Sequence, residues 1–119
     1  MQHVERALKT SLFDVPDEPT LIWRERSFDL IIKGEWISGI FDRVELRLSE
    51  AGAPVSARII DFKTDDTPTE EAVMDKVAGY RPQLRLYREA VSRLTGLPEQ
   101  EIELCLLFTR TGRVEKVQA

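Results

Sequence analysis

An aspartate and a lysine separated by one residue, Asp61 and Lys63, are the residues of this sequence best suited to chemistry. They end an apolar run, residues 57–63, that predicts a β-strand bounded by polar stretches. Because successive strand residues point to opposite faces, Asp61 and Lys63 share one face and Phe62 points to the other. An acid and a base fixed side by side suit the joint binding of a metal ion and an anion. The same spacing also fits an exposed charge pair, which is the more common occurrence.

A second carboxylate, Asp42, interrupts the apolar side of an earlier strand candidate, residues 36–48. Regular alternation places it on one face with four aliphatic residues: Ile40, Val44, Leu46 and Leu48. An ionised carboxylate that faces a core needs a partner, a metal ion or a raised pKa. Alternatively, Asp42 lies at the end of the face and reaches water. Gly39, just upstream, relieves crowding beside Asp42 or marks a bulge.

The connection between these two strands determines how far apart the acids lie. Residues 49–56 contain glycine and proline and predict a hairpin. If its turn centres near Gly52, antiparallel pairing places Asp42 within about two residues of Asp61 and Lys63 across the ladder. Two carboxylates and a lysine then converge without any long-range assumption, and this combination is much rarer by chance than either part alone.

Three further strands complete a predicted sheet. Residues 21–32 form a strand whose two faces are both mixed, which is typical of an edge strand or a twisted one. Residues 102–109 are almost continuously apolar, as in a buried central strand, and residues 114–117 form the last strand. A meander of strands, then helices, then an apolar strand predicts an α/β (α+β) fold, a mixed central sheet flanked by helices.

Two helices are expected between the third strand and the apolar strand. Thr69 is a suitable N-cap for the first helix, which Gly79 weakens near its end. Pro82 suits the first turn of a second helix over residues 81–94, and Gly96 is its stop.

Composition limits the classes of function open to the chain. Its 119 residues make one domain, residues 1–119, with 42% hydrophobic and 32% charged residues. The net charge of −4 disfavours tight autonomous binding to nucleic acid, but not a metal-dependent enzyme that needs carboxylates of its own. The single cysteine, Cys105, excludes disulfide frameworks and cysteine-bound zinc or iron–sulfur clusters within the chain. We recognise no signal peptide and no membrane-spanning run, and expect a cytoplasmic protein.

Three segments in this order resemble a known family: residues 39–44 (GIFDRV), 59–64 (IIDFKT) and 83–87 (QLRLY). The series is similar to the motifs of the PD-(D/E)XK nuclease superfamily, and more narrowly to the RecB-type nuclease domain of AddA-like bacterial helicase–nucleases. The resemblance extends from about Trp23 to the C-terminus. It implies a restriction-endonuclease-like core and makes the chain the expected C-terminal part of a larger helicase–nuclease.

The resemblance implies a catalytic role for three matching residues and a metal contact for a fourth. Asp42 and Asp61 would bind a divalent metal, Mg²⁺ or Mn²⁺, helped by the backbone carbonyl of Phe62. Lys63 would orient the attacking water or offset the charge that develops on the phosphate.

A second group would support the site and contact DNA. Gln83 and Tyr87 match a QxxxY motif, and residues four apart lie on one side of a helix. Glu25, followed by Phe28, resembles an upstream Glu-x-x-Phe element. Each residue also has a plainer interpretation. Gln83 fits a helix-surface amide, Tyr87 fits core packing, and Glu25 fits an exposed strand acid.

The sequence departs from the family pattern in two respects. Members usually carry a histidine ligand on an upstream helix, and His3, the only histidine, lies too near the start to be matched. The four cysteines of the iron–sulfur branch are absent, which favours the AddA branch and predicts no iron–sulfur cluster. Since no Gly-x-x-x-x-Gly-Lys loop is present, a helicase motor would lie elsewhere in the polypeptide or complex, and the expected partner is an AddB-like second subunit.

Two functions from different classes follow. The first is an Mg²⁺-dependent DNA exonuclease domain that hydrolyses phosphodiester bonds in double-strand-break repair and recombination. The second is a nuclease fold kept as a non-catalytic DNA-binding or scaffold module of a repair complex. The set of Asp42, Asp61 and Lys63 favours the first function, whereas the unmatched histidine and the negative charge favour the second. An unrelated α+β domain with chance motif matches is the remaining interpretation.

Overall fold

The computed structural model describes residues 19–64 and 69–118, which form one mixed sheet with a long helix on one face. The elements in chain order are β1 (Thr20–Ile32), β2 (Glu35–Leu48), β3 (Pro54–Lys63), α1 (Glu70–Thr95), β4 (Ile102–Phe108) and β5 (Arg113–Val117). The sheet order is β1-β2-β3-β4-β5, so β1 is an edge strand, one of the two predicted possibilities. Only β3 and β4 are parallel, and α1 lies in the connection between them. The fold is the predicted restriction-endonuclease-like α/β arrangement.

Two hairpins set the register of the first three strands. Lys33 and Gly34 both have left-handed φ values, 53° and 81°, and form the two-residue turn whose twist suits a hairpin. The second hairpin turns over residues 49–53, with Gly52 at a φ of 83°. Strand β3 then begins at Pro54, three residues earlier than predicted. A register irregularity lies between Arg47 and Leu48, opposite the first residues of β3.

The predicted face of Ile40 is wrong. Phe41 is fully buried in the main core together with Val44 and Leu46, whereas Ile40 is 57% exposed on the opposite face. The side chains of β2 therefore alternate between the two faces of the sheet before and after Asp42. The residues that face the main core have odd numbers before Asp42 and even numbers after it.

The change of face coincides with a distortion of β1. The ladder runs from the Arg24–Arg43 pair to the Arg26–Phe41 pair without pairing Glu25 with Asp42. Glu25 has a left-handed φ of 47°, a conformation that interrupts a regular pleat. Strict alternation, on which the prediction rested, fails at this position.

One continuous helix replaces the two predicted helices. Helix α1 passes through Gly79 and contains Pro82, although proline removes a helical hydrogen bond. A single apolar stripe spans both halves and is buried against the sheet: Val73, Val77, Leu84, Tyr87 and Val91. Burial of this stripe on both sides of Pro82 outweighs the local preference for a break.

The ends of α1 are those the sequence predicted. Thr69 is the N-cap, and its hydroxyl accepts a hydrogen bond of 3.1 Å from the backbone N–H of Ala72. Gly96 ends the helix with a left-handed φ of 79°, and its N–H donates to the Ser92 carbonyl at 2.8 Å.

The main core lies between α1 and one face of the sheet. Ile59, Leu104 and Phe108 face the helix and are at most 1% exposed. A smaller apolar cluster that includes Cys105 lies on the other face, and burial raises the pKa of its thiol to about 11, as expected for an inert core cysteine. Within residues 19–64 and 69–118, no helix has both the length and the apolar character needed to cross a membrane.

Candidate active site

The two acids meet at a fork in the sheet, where β2 and β3 stop pairing. The last paired residues are Arg43 and Ile60, so Asp42 and Asp61 are the next residues on the two strands. Asp42 Oδ2 accepts a hydrogen bond of 2.8 Å from the backbone N–H of Phe62. The side chain thereby takes the place of a β2 carbonyl, which a continued ladder would supply. The proximity of the acids agrees with the register predicted from the second hairpin.

Asp61 is 5% exposed and lies between a like charge and an opposite charge. The pKa of Asp61 is raised to about 6, chiefly by burial and also by the neighbouring Asp42 carboxylate, while Lys63 acts in the opposite direction. Lys63 Nζ lies 2.8 Å from Asp61 Oδ2, but this ion pair lacks hydrogen-bond alignment. Among the described residues, this buried oxygen thus has an ammonium as its charge partner but no aligned hydrogen-bond donor.

Helix α1 supplies the other contacts of the lysine. Lys63 Nζ donates to Gln83 Oε1 at 3.2 Å, and Gln83 Nε2 donates to the Tyr87 hydroxyl at 3.3 Å. Lys63 Nζ also lies 4.0 Å from the centroid of the Tyr80 ring. The sequence interpretation missed Tyr80. Its position three residues before Gln83, on the same side of the helix, was the available signal.

Tyr87 combines the two interpretations that the sequence left open. Its ring is buried and packs edge-on against Phe28 and Phe41, with centroid distances of 5.7 and 5.4 Å. Its hydroxyl is bound to Gln83 at the edge of the site. Burial raises the pKa of Tyr87, and the charges of the two site aspartates raise it further, so the hydroxyl stays protonated at neutral pH. One side chain therefore packs in the core and reaches Gln83 with its hydroxyl, while its role in supporting the site stays a prediction.

Glu25 lies across the distorted point of the β1–β2 ladder from Asp42 and is exposed. Within the described part of the chain, its carboxylate makes no hydrogen bond or ion pair, and no three acidic, histidine or cysteine side chains converge on a metal position. His3 lies outside the described residues. The site as described therefore contains two convergent carboxylates, those of Asp42 and Asp61.

The donors at the fork fit a hard divalent cation. Both side chains offer carboxylate oxygens, one of which is buried without a donor. The Phe62 N–H points toward β2. Since the N–H and C=O of one strand residue point to the same side, the Phe62 carbonyl faces the fork as well. Mg²⁺ is commonly held by one or two carboxylates and completes its coordination with water and phosphate oxygens.

Gly39 provides the space that the aromatic rings beside the fork require. A Cβ at this position would lie 2.8 Å from two ring atoms of Phe28, which stacks on Phe41 at a centroid distance of 4.5 Å. Because these packed rings cannot move aside freely, Gly39→Ala is expected to lower the free energy of unfolding by about 1–3 kcal/mol. Urea unfolding measures this change.

Gly79→Ala is the matched control, because a Cβ at that helical position would meet open space. This variant should be neutral or more stable than wild type, since alanine favours helix over glycine. A Gly39→Ala protein as stable as Gly79→Ala would contradict the predicted clash.

Comparison with known proteins identifies the family to which this fold and site belong. The family model of the PD-(D/E)XK nuclease superfamily matches residues 2–119, and the chain belongs to this superfamily. Over 64 residues the chain is 36% identical to a subunit of an ATP-dependent helicase/nuclease from Limosilactobacillus fermentum (strain NBRC 3956 / LMG 18251). This match confirms the predicted resemblance to AddA-like proteins. The aligned region covers 51% of the chain and 5% of the relative, so the chain corresponds to a small part of that protein.

Proposed function

We propose that this chain is a metal-dependent nuclease domain that hydrolyses phosphodiester bonds in DNA. The observation that carries the proposal is the convergence of Asp42, Asp61 and Lys63 at the fork, beside Gln83 of α1. Membership of a nuclease superfamily supports the class of reaction.

Asp42 and Asp61, with the Phe62 carbonyl, would hold Mg²⁺ or Mn²⁺. A cation bound there would polarise the scissile phosphate and lower the pKa of a bound water. Asp61 must be ionised to serve as a ligand, and with a pKa of about 6 it is mostly ionised at neutral pH. Lys63 presents an ammonium beside these carboxylates, where it orients the attacking water or offsets charge on the phosphate.

The supporting residues Gln83, Tyr87 and Glu25 would have different roles. Gln83 accepts a hydrogen bond from Lys63, and Tyr87 accepts one from Gln83, so both restrict where the ammonium can lie. The exposed position of Glu25, on the edge strand next to the fork, suits a contact with DNA or with water around the site. It is the residue for which the structure offers the least support.

The proposed role of the chain within a larger protein is inferred from the name of the similar protein. Its name, that of a helicase/nuclease subunit, supports placing this chain within a helicase–nuclease, acting as an exonuclease in double-strand-break repair and recombination. The partners are then DNA, a helicase domain in the same polypeptide or complex and an AddB-like second subunit, in the cytoplasm. The chain would form the C-terminal part of the larger protein.

A non-catalytic DNA-binding or scaffold module is the second candidate. The observations in its favour are that only two carboxylates converge within the described residues and that the chain carries a net charge of −4. Repulsion of DNA phosphates by such a chain weakens autonomous binding, so a scaffold would depend on its complex for contact with DNA.

Metal titration together with a cleavage assay separates the two candidates. We expect calorimetric binding of Mn²⁺ or Mg²⁺ and metal-dependent cleavage of labelled single-stranded DNA that EDTA abolishes. Asp42→Asn should weaken metal binding about tenfold or more, while its amide oxygen still accepts from Phe62 N–H and preserves the fold. A folded wild-type chain that shows neither binding heat nor cleavage would refute the nuclease proposal and support the scaffold.

A further inference from the structure

We propose that Tyr80 is a positioning residue for Lys63. The ring of Tyr80 keeps the Lys63 ammonium in place when Asp61 binds a metal ion. The inference rests on the proposed nuclease function. It assigns to the aromatic ring a task that the metal-binding carboxylates cannot perform and that the ring shares with Gln83.

Within residues 19–64 and 69–118, the ammonium of Lys63 has three neighbours of different character. It lies 2.8 Å from Asp61 Oδ2, 3.2 Å from Gln83 Oε1 and 4.0 Å from the centroid of the Tyr80 ring. A cation within about 6 Å of an aromatic centroid is attracted by the negative face of the ring, and the attraction grows as water is excluded. The Lys63 side chain is 16% exposed, so little water competes for this contact.

Binding of a divalent cation would weaken one of these three contacts. The Asp61 oxygen that faces Lys63 is buried, and the ammonium lies 2.8 Å from it, where a metal ion held by Asp61 would compete for the same carboxylate. A divalent cation on that oxygen both replaces the ammonium as the partner of Asp61 and repels it. The ion pair would therefore hold Lys63 less firmly in the metal-bound site.

The two remaining contacts come from one rigid element. Tyr80 and Gln83 are three residues apart on α1, which continues unbroken through Pro82. Both groups are uncharged, so a metal ion at the fork would not draw them away from the ammonium as it draws a carboxylate. Lys63 can then stay beside the fork, held from the helix side, instead of extending into solvent.

Nuclear magnetic resonance of the lysine ε-methylene groups tests this contact directly. An ammonium over an aromatic face places the adjacent CH₂ protons in the shielding zone of the ring, so the Lys63 signals should be shifted upfield. The signals are assigned by their loss in Lys63→Ala. Tyr80→Phe should keep the upfield shift, whereas Tyr80→Leu should remove it.

Addition of Mg²⁺ tests whether the helix holds the Lys63 ammonium once Asp61 binds a metal ion. The upfield shift should persist in the wild-type protein at saturating Mg²⁺, because the ammonium remains on the Tyr80 ring. Loss of the shift on adding Mg²⁺, or an unchanged lysine spectrum in Tyr80→Leu, would overturn the inference.

Steady-state kinetics tests the consequence for the reaction. Tyr80→Leu should lower kcat about tenfold, equivalent to about 1.4 kcal/mol, with KM and Mg²⁺ affinity changed less than about twofold. Tyr80→Phe should recover most of the rate because the ring face is retained. An equal loss in both variants would assign the effect to the hydroxyl and refute the ring contact.

The two proposals fail in distinguishable ways. If the wild-type chain does not cleave DNA in Mg²⁺, the nuclease function is wrong, and the lysine spectra still decide whether Tyr80 holds the ammonium. If the chain cleaves DNA but the spectra of wild type and Tyr80→Leu agree, the nuclease function stands and the role of Tyr80 is wrong.

Discussion

Replacing Lys63 by alanine is expected to lower Mg²⁺-dependent DNA cleavage by about 10²–10³-fold while the protein stays folded. The ammonium of Lys63 contacts Asp61 directly, and in the proposed mechanism its removal would leave the developing charge on the phosphate without that cation. The side chain lies at the end of β3, so truncation removes three polar contacts but no part of the main core. Rates on labelled single-stranded DNA at saturating Mg²⁺, with circular dichroism of the same samples, measure both outcomes.

Lys116→Ala is the matched control for this experiment. Lys116 is also a lysine of the sheet in an ion pair, with its Nζ 2.6 Å from Glu103. In the β4–β5 ladder it lies opposite Cys105, whose side chain is on the face of the sheet away from α1. Its loss should leave cleavage within about twofold of wild type, since surface ion pairs contribute little. If Lys63→Ala cuts DNA as fast as Lys116→Ala, the mechanism proposed for the fork is incorrect.

Asp61→Asn is expected to abolish cleavage and, without metal, to make the fold more stable at neutral pH. Burial raises the pKa of Asp61 to about 6, above the value of about 4 for an unfolded aspartate. A raised carboxyl pKa means that ionisation opposes folding. The cost is absent below about pH 4, develops between about pH 4 and 6, and is complete above that range, where it amounts to about 1–3 kcal/mol. Asparagine carries no charge and avoids it.

Urea unfolding in EDTA between pH 4 and 8 measures this effect. The stability advantage of Asp61→Asn over wild type should be near zero at pH 4 and should rise to its full size by about pH 7. Asp75 is an exposed acid of α1, and Asp75→Asn is the control. This variant should not show a stability advantage over wild type that grows between pH 4 and 7. An advantage of Asp61→Asn that shrinks as the pH rises would show that Asp61 is not destabilised by burial.

Those parts of the site that depend on local geometry were predictable from the sequence. Asp42 and Asp61 lie on the two strands of one hairpin, so the position of Gly52 was enough to bring them together. The N-cap at Thr69 and the stop at Gly96 depend on side-chain and backbone preferences of single residues, and both predictions are confirmed. Contacts of this kind need no knowledge of the rest of the fold.

The errors arose where tertiary contacts override a local rule. Gly79 and Pro82 predicted a helix break, but the stripe buried against the sheet extends over both halves of α1. Alternation put Ile40 in the core in place of Phe41, because nothing local revealed the left-handed φ of Glu25 on the neighbouring strand. Tyr80 escaped notice for a related reason, since its contact with Lys63 exists only when the helix is continuous.

The fork at Asp42 has a thermodynamic consequence for the fold itself. Beyond it, within the described residues, β2 pairs only with β1, and residues 26–41 form a two-stranded ribbon. Isolated ribbons are marginally stable, and this one is docked through aromatic contacts with Tyr87. Asp42 and Asp61 would hold a cation together only when the ribbon is docked. By linkage the cation would stabilise docking by about 2.7 kcal/mol at a hundredfold excess over its Kd. Metal occupancy and ordering of the ribbon would then be a single coupled equilibrium.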